Sequence, residues 1–408
     1  MNILIITNSY PPEIRSTSHL MYELAQDLTE KGHAVTVLTS FPGYNLADGV
    51  GREDIQEIMG ENGVTVLRAR TMPLKKVGYI KRGLAELMLP WNFYNLLKQN
   101  ENTIFDAVWV FSPPLPLALL GAWIKRKSRA PLLLNAQDIF PQNGIDLGII
   151  RNSAVIAWYE FMERQAYRVS DIILVHSEKN RDFLVKEKCQ NGSKVIVQYN
   201  WVDAKQFDSA GRTGKFRSKF GLNNQTVVLF AGVMGPSQGL DAVIRMAEAF
   251  RDDPSLVFLL VGDGTQRAGL EAAVKRKQLK NVIFGPFVSR EDYPYLVKDS
   301  DIGLTSLSAE VKTPVVPGKI QGYMAGGLPI LGILNKESDG HQLIRWAGAG
   351  ISVTAGNDEA AIDALSKLKT DPNLRQTMGE SGHRYALAEL DRSRCVDNIL
   401  SVINSCRN

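Results

Sequence analysis

The chain has 408 residues, enough for two domains of ordinary size, each with its own core. Its composition, 44% hydrophobic and 22% charged, is that of a soluble globular protein, and a net charge of +4 is too small to mark the whole chain as a nucleic-acid binder. Three widely spaced cysteines, Cys189, Cys395 and Cys406, argue for a reducing compartment and against a disulfide frame or a zinc knuckle.

The opening MNILIITNSYPP goes straight into a strand and a Pro-Pro turn, with no basic n-region and too short an apolar run for a signal peptide. After the strand at 2–7, Leu20, Leu24 and Leu28 recur at a four-residue step up to a Lys31-Gly32 stop, and 34–39 forms the next strand. The pattern repeats, with strands expected at 64–68, 107–111, 131–135, 172–175 and 195–198. Such alternation predicts a parallel sheet with helices on both faces. The apolar stretch 108–124 is broken by Pro113, Pro114 and Pro116 and is too interrupted for a membrane span.

A polar stretch at 204–224 marks a boundary, giving a first domain over 1–203. A second series over 204–385 has strands at 227–231, 256–261, 282–284, 302–304 and 329–333. Residues 386–408 are helical in pattern and are expected to fold back on the first domain. Two doubly wound domains put a ligand cleft at the carboxyl ends of their strands.

The stretch after the strand at 302–304 holds Glu310 and Lys312, then Pro317-Gly318-Lys319 at a helix start. A glycine, a lysine and a helix N-terminus together suit a phosphate or diphosphate. Alone, the same residues fit a plain turn with a solvated lysine equally well. Asp299-Ser300-Asp301 spells D-x-D but leads straight into a strand, and the five histidines lack metal-ligand spacing, so no metal is expected. Between Arg68 and Arg129, eleven Lys/Arg stand against three acidic residues. Lys75, Lys76, Lys81 and Arg82 precede Leu84, Leu87, Met88, Leu89, Trp91, Phe93 and Tyr94, and Trp123 precedes Lys125, Arg126 and Lys127. Basic residues beside exposed aromatics suit an anionic membrane surface.

Several motifs follow one another in an order that resembles the GT-B glycosyltransferases of family 4. They are Tyr10-Pro11-Pro12-Glu13, Lys31-Gly32-His33-Ala34, Val175-His176-Ser177-Glu178 with Arg181, Asn200-Trp201-Val202-Asp203 with Phe207, Val261-Gly262-Asp263-Gly264 with Arg267, and Ala325-Gly326-Gly327-Leu328-Pro329. Within that family the chain is most similar to the fucosamine and colanic-acid type transferases of bacterial surface polysaccharides, through Met234 to Leu240 and Pro317 to Lys319.

The resemblance implies an α/β fold of two Rossmann-like domains facing each other across a cleft. It implies retaining transfer from a UDP-sugar, such as UDP-N-acetylfucosamine, to a lipid-linked saccharide of the undecaprenyl-diphosphate type at the inner face of the cytoplasmic membrane. Neither a cofactor nor nucleic acid is expected. Donor contacts fall to Gly235, Gln238, Gly318, Lys319, Ile320 and Arg15, and catalytic roles to Asp138 and Glu310. Lys75, Lys76, Lys81, Arg82 and Trp91 form the acceptor and membrane surface. The chain departs from the family in three places: Val233 and Gln238 stand where an Arg and a Lys usually hold the diphosphate, Gly322 stands where a second glutamate usually holds the ribose, and Gln137 replaces a histidine. A UDP-N-acetylhexosamine 2-epimerase and a non-catalytic sugar-nucleotide binder are the alternatives. A dinucleotide-dependent oxidoreductase would need a glycine fingerprint after the first strand, where Asn8-Ser9-Tyr10 stands.

Overall fold

The apolar runs NILII, AVWVFS and LLLNA become neighbouring parallel strands, β1 (Asn2–Ile6), β5 (Ala107–Ser112) and β6 (Leu132–Ala136), because strands covered on both faces need apolar side chains throughout. They belong to an eight-stranded sheet with β2 (Ala34–Ser40), β3 (Ile58–Glu61), β4 (Val64–Ala69), β7 (Ile172–Val175) and β8 (Val195–Val197). The order is β3-β4-β2-β1-β5-β6-β7-β8, with Asn2 opposite Ala34 and Ile3 opposite Ala107. Among these described strands, only β3 runs antiparallel to its neighbour. It is joined to β4 by Asn62 and Gly63, both at positive φ, and leaves Ile58 and Met59 exposed at the sheet edge. No strand was expected there, since IMGE carries no apolar run.

The computed structural model describes residues 1–43, 46, 50–74, 77, 79–100 and 104–407. The sheet lies in one of two compact units, which comprises Met1–Ile145, Ile150–Tyr199 and Ser393–Asn408. The helix Arg392–Ser405 buries Cys395, Val396, Ile399 and Ile403, and ion pairs Lys31–Asp397 at 2.7 Å and Arg407–Asp106 at 2.8 Å tie this segment to the first unit.

The second unit, Asp146–Ile149 and Asn200–Arg392, contains β9 (Thr226–Ala231), β10 (Leu256–Val261), β11 (Val282–Gly285), β12 (Ile302–Ser306), β13 (Ile330–Leu334) and β14 (Gly350–Thr354). All six are parallel in the order β11-β10-β9-β12-β13-β14, with Thr226 opposite Leu256 and Gly303 opposite Ile330. The strand β14 also was not anticipated; its five residues are only partly buried at the edge. In each sheet the order reverses once, between β1 and β5 and between β9 and β12. Loops leaving the strand ends on either side of such a reversal diverge and open a crevice, the usual ligand position in this architecture.

The D-x-D carboxylates serve this scaffold. Asp299 accepts from the N–H groups of Gly214 and Phe216, while Asp301 accepts from Val227 N–H and pairs with Arg212 and Arg217 at 2.8 and 2.5 Å.

Candidate functional site

At the reversal of the second sheet, the loops after β9 and β10 lie backbone against backbone. A Cβ on Gly262 would sit 1.9 Å from Gly232 O, and one on Gly264 2.3 Å from Met234 O, so only glycine fits at either position. Met234 N–H donates to Asp263 O and Gln266 N–H to Met234 O. Residues Pro236–Gln238 make one tight turn. The loop after β12 is sewn to that turn, with Ser308 N–H donating to Ser237 O at 2.9 Å. It is held from behind by Asn335, which donates to Val311 O and Thr313 O, and by Ser338, which donates to Val315 O.

Lys319 reaches into this junction. Its Nζ donates to Gln238 Oε1 at 2.6 Å and lies 4.6 Å from the centroid of the Phe230 ring, while a Cβ on Gly232 would meet its Cε at 2.8 Å. The amide and the ring face both favour a cation, but no carboxylate pairs with it among the described residues. Burial of the half-buried side chain lowers its pKa to about 8. The result is a desolvated ammonium, still charged at neutral pH and without a counter-charge, an arrangement that favours an incoming anion. Gln238, which the resemblance marked as a lost cation, is thus the residue that holds the remaining one.

The other expected donor residues differ in what they can offer. The helix Lys319–Ala325 has only two turns, and Gly318 precedes it without a side-chain cap, so the anticipated helix N-terminus is short. Ile320 is completely buried and its N–H donates to Pro317 O, so its contribution is packing. Gly235 opens the tight turn in extended conformation. Glu310 is exposed on the loop rim, where its N–H donates to Ser308 Oγ.

In the first unit, Arg15 stands at the N-cap of the helix Ser16–Glu30, with Nε 3.7 Å from the buried Glu13. Ser9 and Ser18 bond side chain to side chain at 2.7 Å, and Arg68, only 1% exposed, donates to Pro11 O, which fixes the loop after β1. Asp138 follows β6. Its side chain is exposed and among the described residues no donor reaches its carboxylate, so it does not cap the next helix. Protein crowded around it raises its pKa by desolvation, a push that its open contact with water holds down. His176, buried after β7 beside Asn180, has its pKa lowered to about 4 by burial and stays neutral.

The helix Tyr79–Gln99 separates the expected membrane residues. Leu89 and Phe93 are fully buried core, whereas Leu84, Leu87, Met88 and Trp91, the last 62% exposed, face outward beside Lys81 and Arg82. Arg82 pairs with Glu86 at 2.9 Å; Lys75 and Lys76 lie outside the described residues. Trp123, on Leu117–Ser128, meets Tyr94 edge to face at 4.4 Å. The helix Ser153–Val169 adds exposed Val155, Trp158 and Phe161, and its Tyr159 hydroxyl lies 3.4 Å from where a Cβ on Gly83 would be. In sequence that third helix resembles a core element, because its apolar residues fall at spacing i, i+3, i+6. Among the described residues, no helix is long and apolar enough to cross a membrane, and no group of three His, Cys, Asp or Glu could hold a metal.

Two family models match the chain: a glycosyl transferase 4-like domain over residues 18–200 and glycosyl transferases group 1 over residues 213–385. The putative colanic acid biosynthesis glycosyl transferase WcaI of Escherichia coli K12 is 26% identical over 412 residues, covering 99% of this chain and all of that protein. Sucrose-phosphate synthase from Thermosynechococcus elongatus shares the fold at a TM-score of 0.78 and 14% identity, over 99% of this chain and 98% of that one. HepE of Anabaena in complex with UDP does so at 0.73 and 17%, over 99% and 100%.

Proposed function

We propose that this chain, which belongs to the GT-B glycosyltransferases of the family 4 type, builds a bacterial surface polysaccharide by moving an N-acetylated deoxyamino sugar, such as N-acetylfucosamine, from a UDP-sugar to a lipid-linked saccharide. The observation that carries the donor half is Lys319, an ammonium fixed by Gln238 and Phe230 at the sheet reversal with no carboxylate among the described residues to neutralise it. A diphosphate supplies the missing charge. The colanic-acid relative supports the pathway, and the UDP complex of HepE supports UDP as the nucleotide.

In the reaction, the bond from the anomeric carbon to the donor diphosphate oxygen breaks. A bond to the acceptor hydroxyl oxygen forms on the same face, and the acceptor proton passes to the departing oxygen. Lys319, with Arg15, holds the charge growing on the diphosphate, the usual large electrostatic contribution. Glu310 orients sugar hydroxyls, and Asp138 stabilises the positive charge developing at the anomeric carbon.

Thermal unfolding with UDP, GDP, ADP and their sugars tests this reading. A nucleotide at a hundredfold excess over Kd stabilises by about 2.7 kcal/mol. Selective stabilisation by UDP that Lys319→Ala abolishes supports the donor site, and absence of any nucleotide response overturns it. Binding of UDP-sugar without transfer to any lipid-linked acceptor would favour the non-catalytic binder.

The acceptor is presented at an anionic membrane surface by the outward face of the helices Tyr79–Gln99, Leu117–Ser128 and Ser153–Val169. Exposed tryptophans with lysines and arginines beside them suit that interface, where each cation contributes about 1 kcal/mol. Flotation with anionic vesicles should recover the protein, and Trp158→Ala with Phe161→Ala should weaken recovery. Equal failure to float with anionic and neutral vesicles overturns the membrane contact.

A further inference from the structure

We propose that the Tyr293 hydroxyl reads the ribose of the nucleotide donor, from the space that residue 322 leaves by having no side chain. The inference rests on the donor-site reading above and adds a specificity-determining residue to it.

Gly322 is buried inside the helix Lys319–Ala325, where glycine is less favourable than alanine. The structure gives the reason. A Cβ at 322 would lie 2.7 Å from the Tyr293 hydroxyl and 3.0 and 3.3 Å from its Cε1 and Cζ, so the tip of the tyrosine ring rests on the bare backbone. Tyr293 opens the helix Tyr293–Lys298, and its ring stands edge-on to Phe207 with centroids 5.9 Å apart, which fixes its direction.

Close helix packing alone would explain a glycine but not a hydroxyl. One turn on, at Gly326, the corresponding space is filled by apolar groups, Val297 Cγ1 and Phe207 Cδ1. The neighbouring Tyr323 shows what a structural tyrosine looks like in this unit. Its ring lies under Gly303, and its hydroxyl is engaged by Ala231 N–H at 3.1 Å, Leu229 O at 3.0 Å and Leu304 O at 3.2 Å. The Tyr293 hydroxyl makes no hydrogen bond to the described residues. Burial also raises its pKa, so it remains a neutral phenol able both to donate and to accept.

The placement fits a nucleotide. Residues 319 and 322 lie three apart on one helix, about 4.5 Å along its axis and on neighbouring faces. A nucleotide whose diphosphate sits on Lys319 carries its ribose diol one sugar ring away, within reach of a hydroxyl at that step. A phenol that both donates and accepts can bond to either hydroxyl of a diol.

The test is calorimetric titration of wild type and Tyr293→Phe with UDP, 2′-deoxy-UDP, 3′-deoxy-UDP and inorganic pyrophosphate. Wild type should bind UDP roughly tenfold more tightly than at least one deoxy analogue, since a site built to bond a hydroxyl rejects the analogue lacking it. Tyr293→Phe should weaken UDP by a similar factor, erase that discrimination and leave pyrophosphate binding unchanged. Unliganded Tm values that agree between the two proteins show that the fold is intact. Wild type that binds UDP without discriminating, or discrimination that survives in Tyr293→Phe, overturns this proposal alone. A wild type that binds no nucleoside diphosphate overturns the donor site and this proposal together.

Discussion

After β12 the chain presents an ammonium that has an amide and a ring for company but, among the described residues, no carboxylate; after β1 it presents a guanidinium with a glutamate 3.7 Å away. The first loop leaves its cation without a counter-charge among the described residues, whereas the second is completed largely by its own side chains, Ser9 with Ser18 and Arg68 with Pro11 O. Removal of one side chain should therefore be felt most at the unpaired cation. A cation whose counter-charge arrives with the substrate contributes to binding and to the transition state, while a prepaired one contributes a remainder.

Lys319→Ala should lower the transfer rate by about 10²- to 10³-fold, the scale for losing one preorganised charge at a leaving group. A radiolabelled sugar assay checks it, and a loss below threefold would break the comparison at once. Asp138, in the first unit, is a carboxylate that no donor reaches among the described residues. Asp138→Asn should cost roughly 10- to 100-fold in kcat with UDP affinity unchanged, in line with a residue acting at the reacting carbon.

The pH dependence sharpens the contrast further. The free protein's Lys319 has its pKa lowered to about 8 by burial. UDP affinity should therefore be flat between the second ionisation of its own terminal phosphate, at about 6, and that value, and fall by at most tenfold per unit above it, as binding must then take up a proton. The stability of the unliganded protein carries the opposite sign. Because the unfolded lysine keeps its proton to higher pH, this group adds stability as pH rises through and above about 8. Titration of wild type against Lys319→Arg isolates both effects. Arg15→Ala, at the prepaired site, should change UDP affinity least, by roughly threefold or less, a scale consistent with a half-exposed guanidinium already facing the Glu13 carboxylate.

The sheets were legible because their central strands are continuous apolar runs bounded by glycine and proline turns. The edges were less so. The β3–β4 hairpin announces itself only through Asn62-Gly63, and β14 is short, partly buried and without an apolar run of its own. In the site, Pro317-Gly318-Lys319 pointed to the cation, but its partner is Gln238, 81 residues away in sequence. The same limit hid Tyr293 from Gly322. A helix glycine reports that something approaches, and only the fold says what. Conversely, Phe93 and Leu89 look like surface aromatics and aliphatics beside a basic cluster, yet the 3.6-residue period turns them inward while Leu84, Leu87, Met88 and Trp91 turn out.

The placement of the helix Arg392–Ser405 has a consequence for how the protein is made. Its buried residues Val396, Ile399 and Ile403 belong to the first unit, but the whole second unit is synthesised before them. Residues 1–199 therefore leave the ribosome with part of their apolar covering still untranslated. The first unit must wait in an incomplete state while roughly 190 residues are added, on the order of 10 to 40 seconds at ordinary elongation rates. During that interval the surface later covered by this helix is open to chaperones and to aggregation. A separately produced 1–199 fragment should share that exposure.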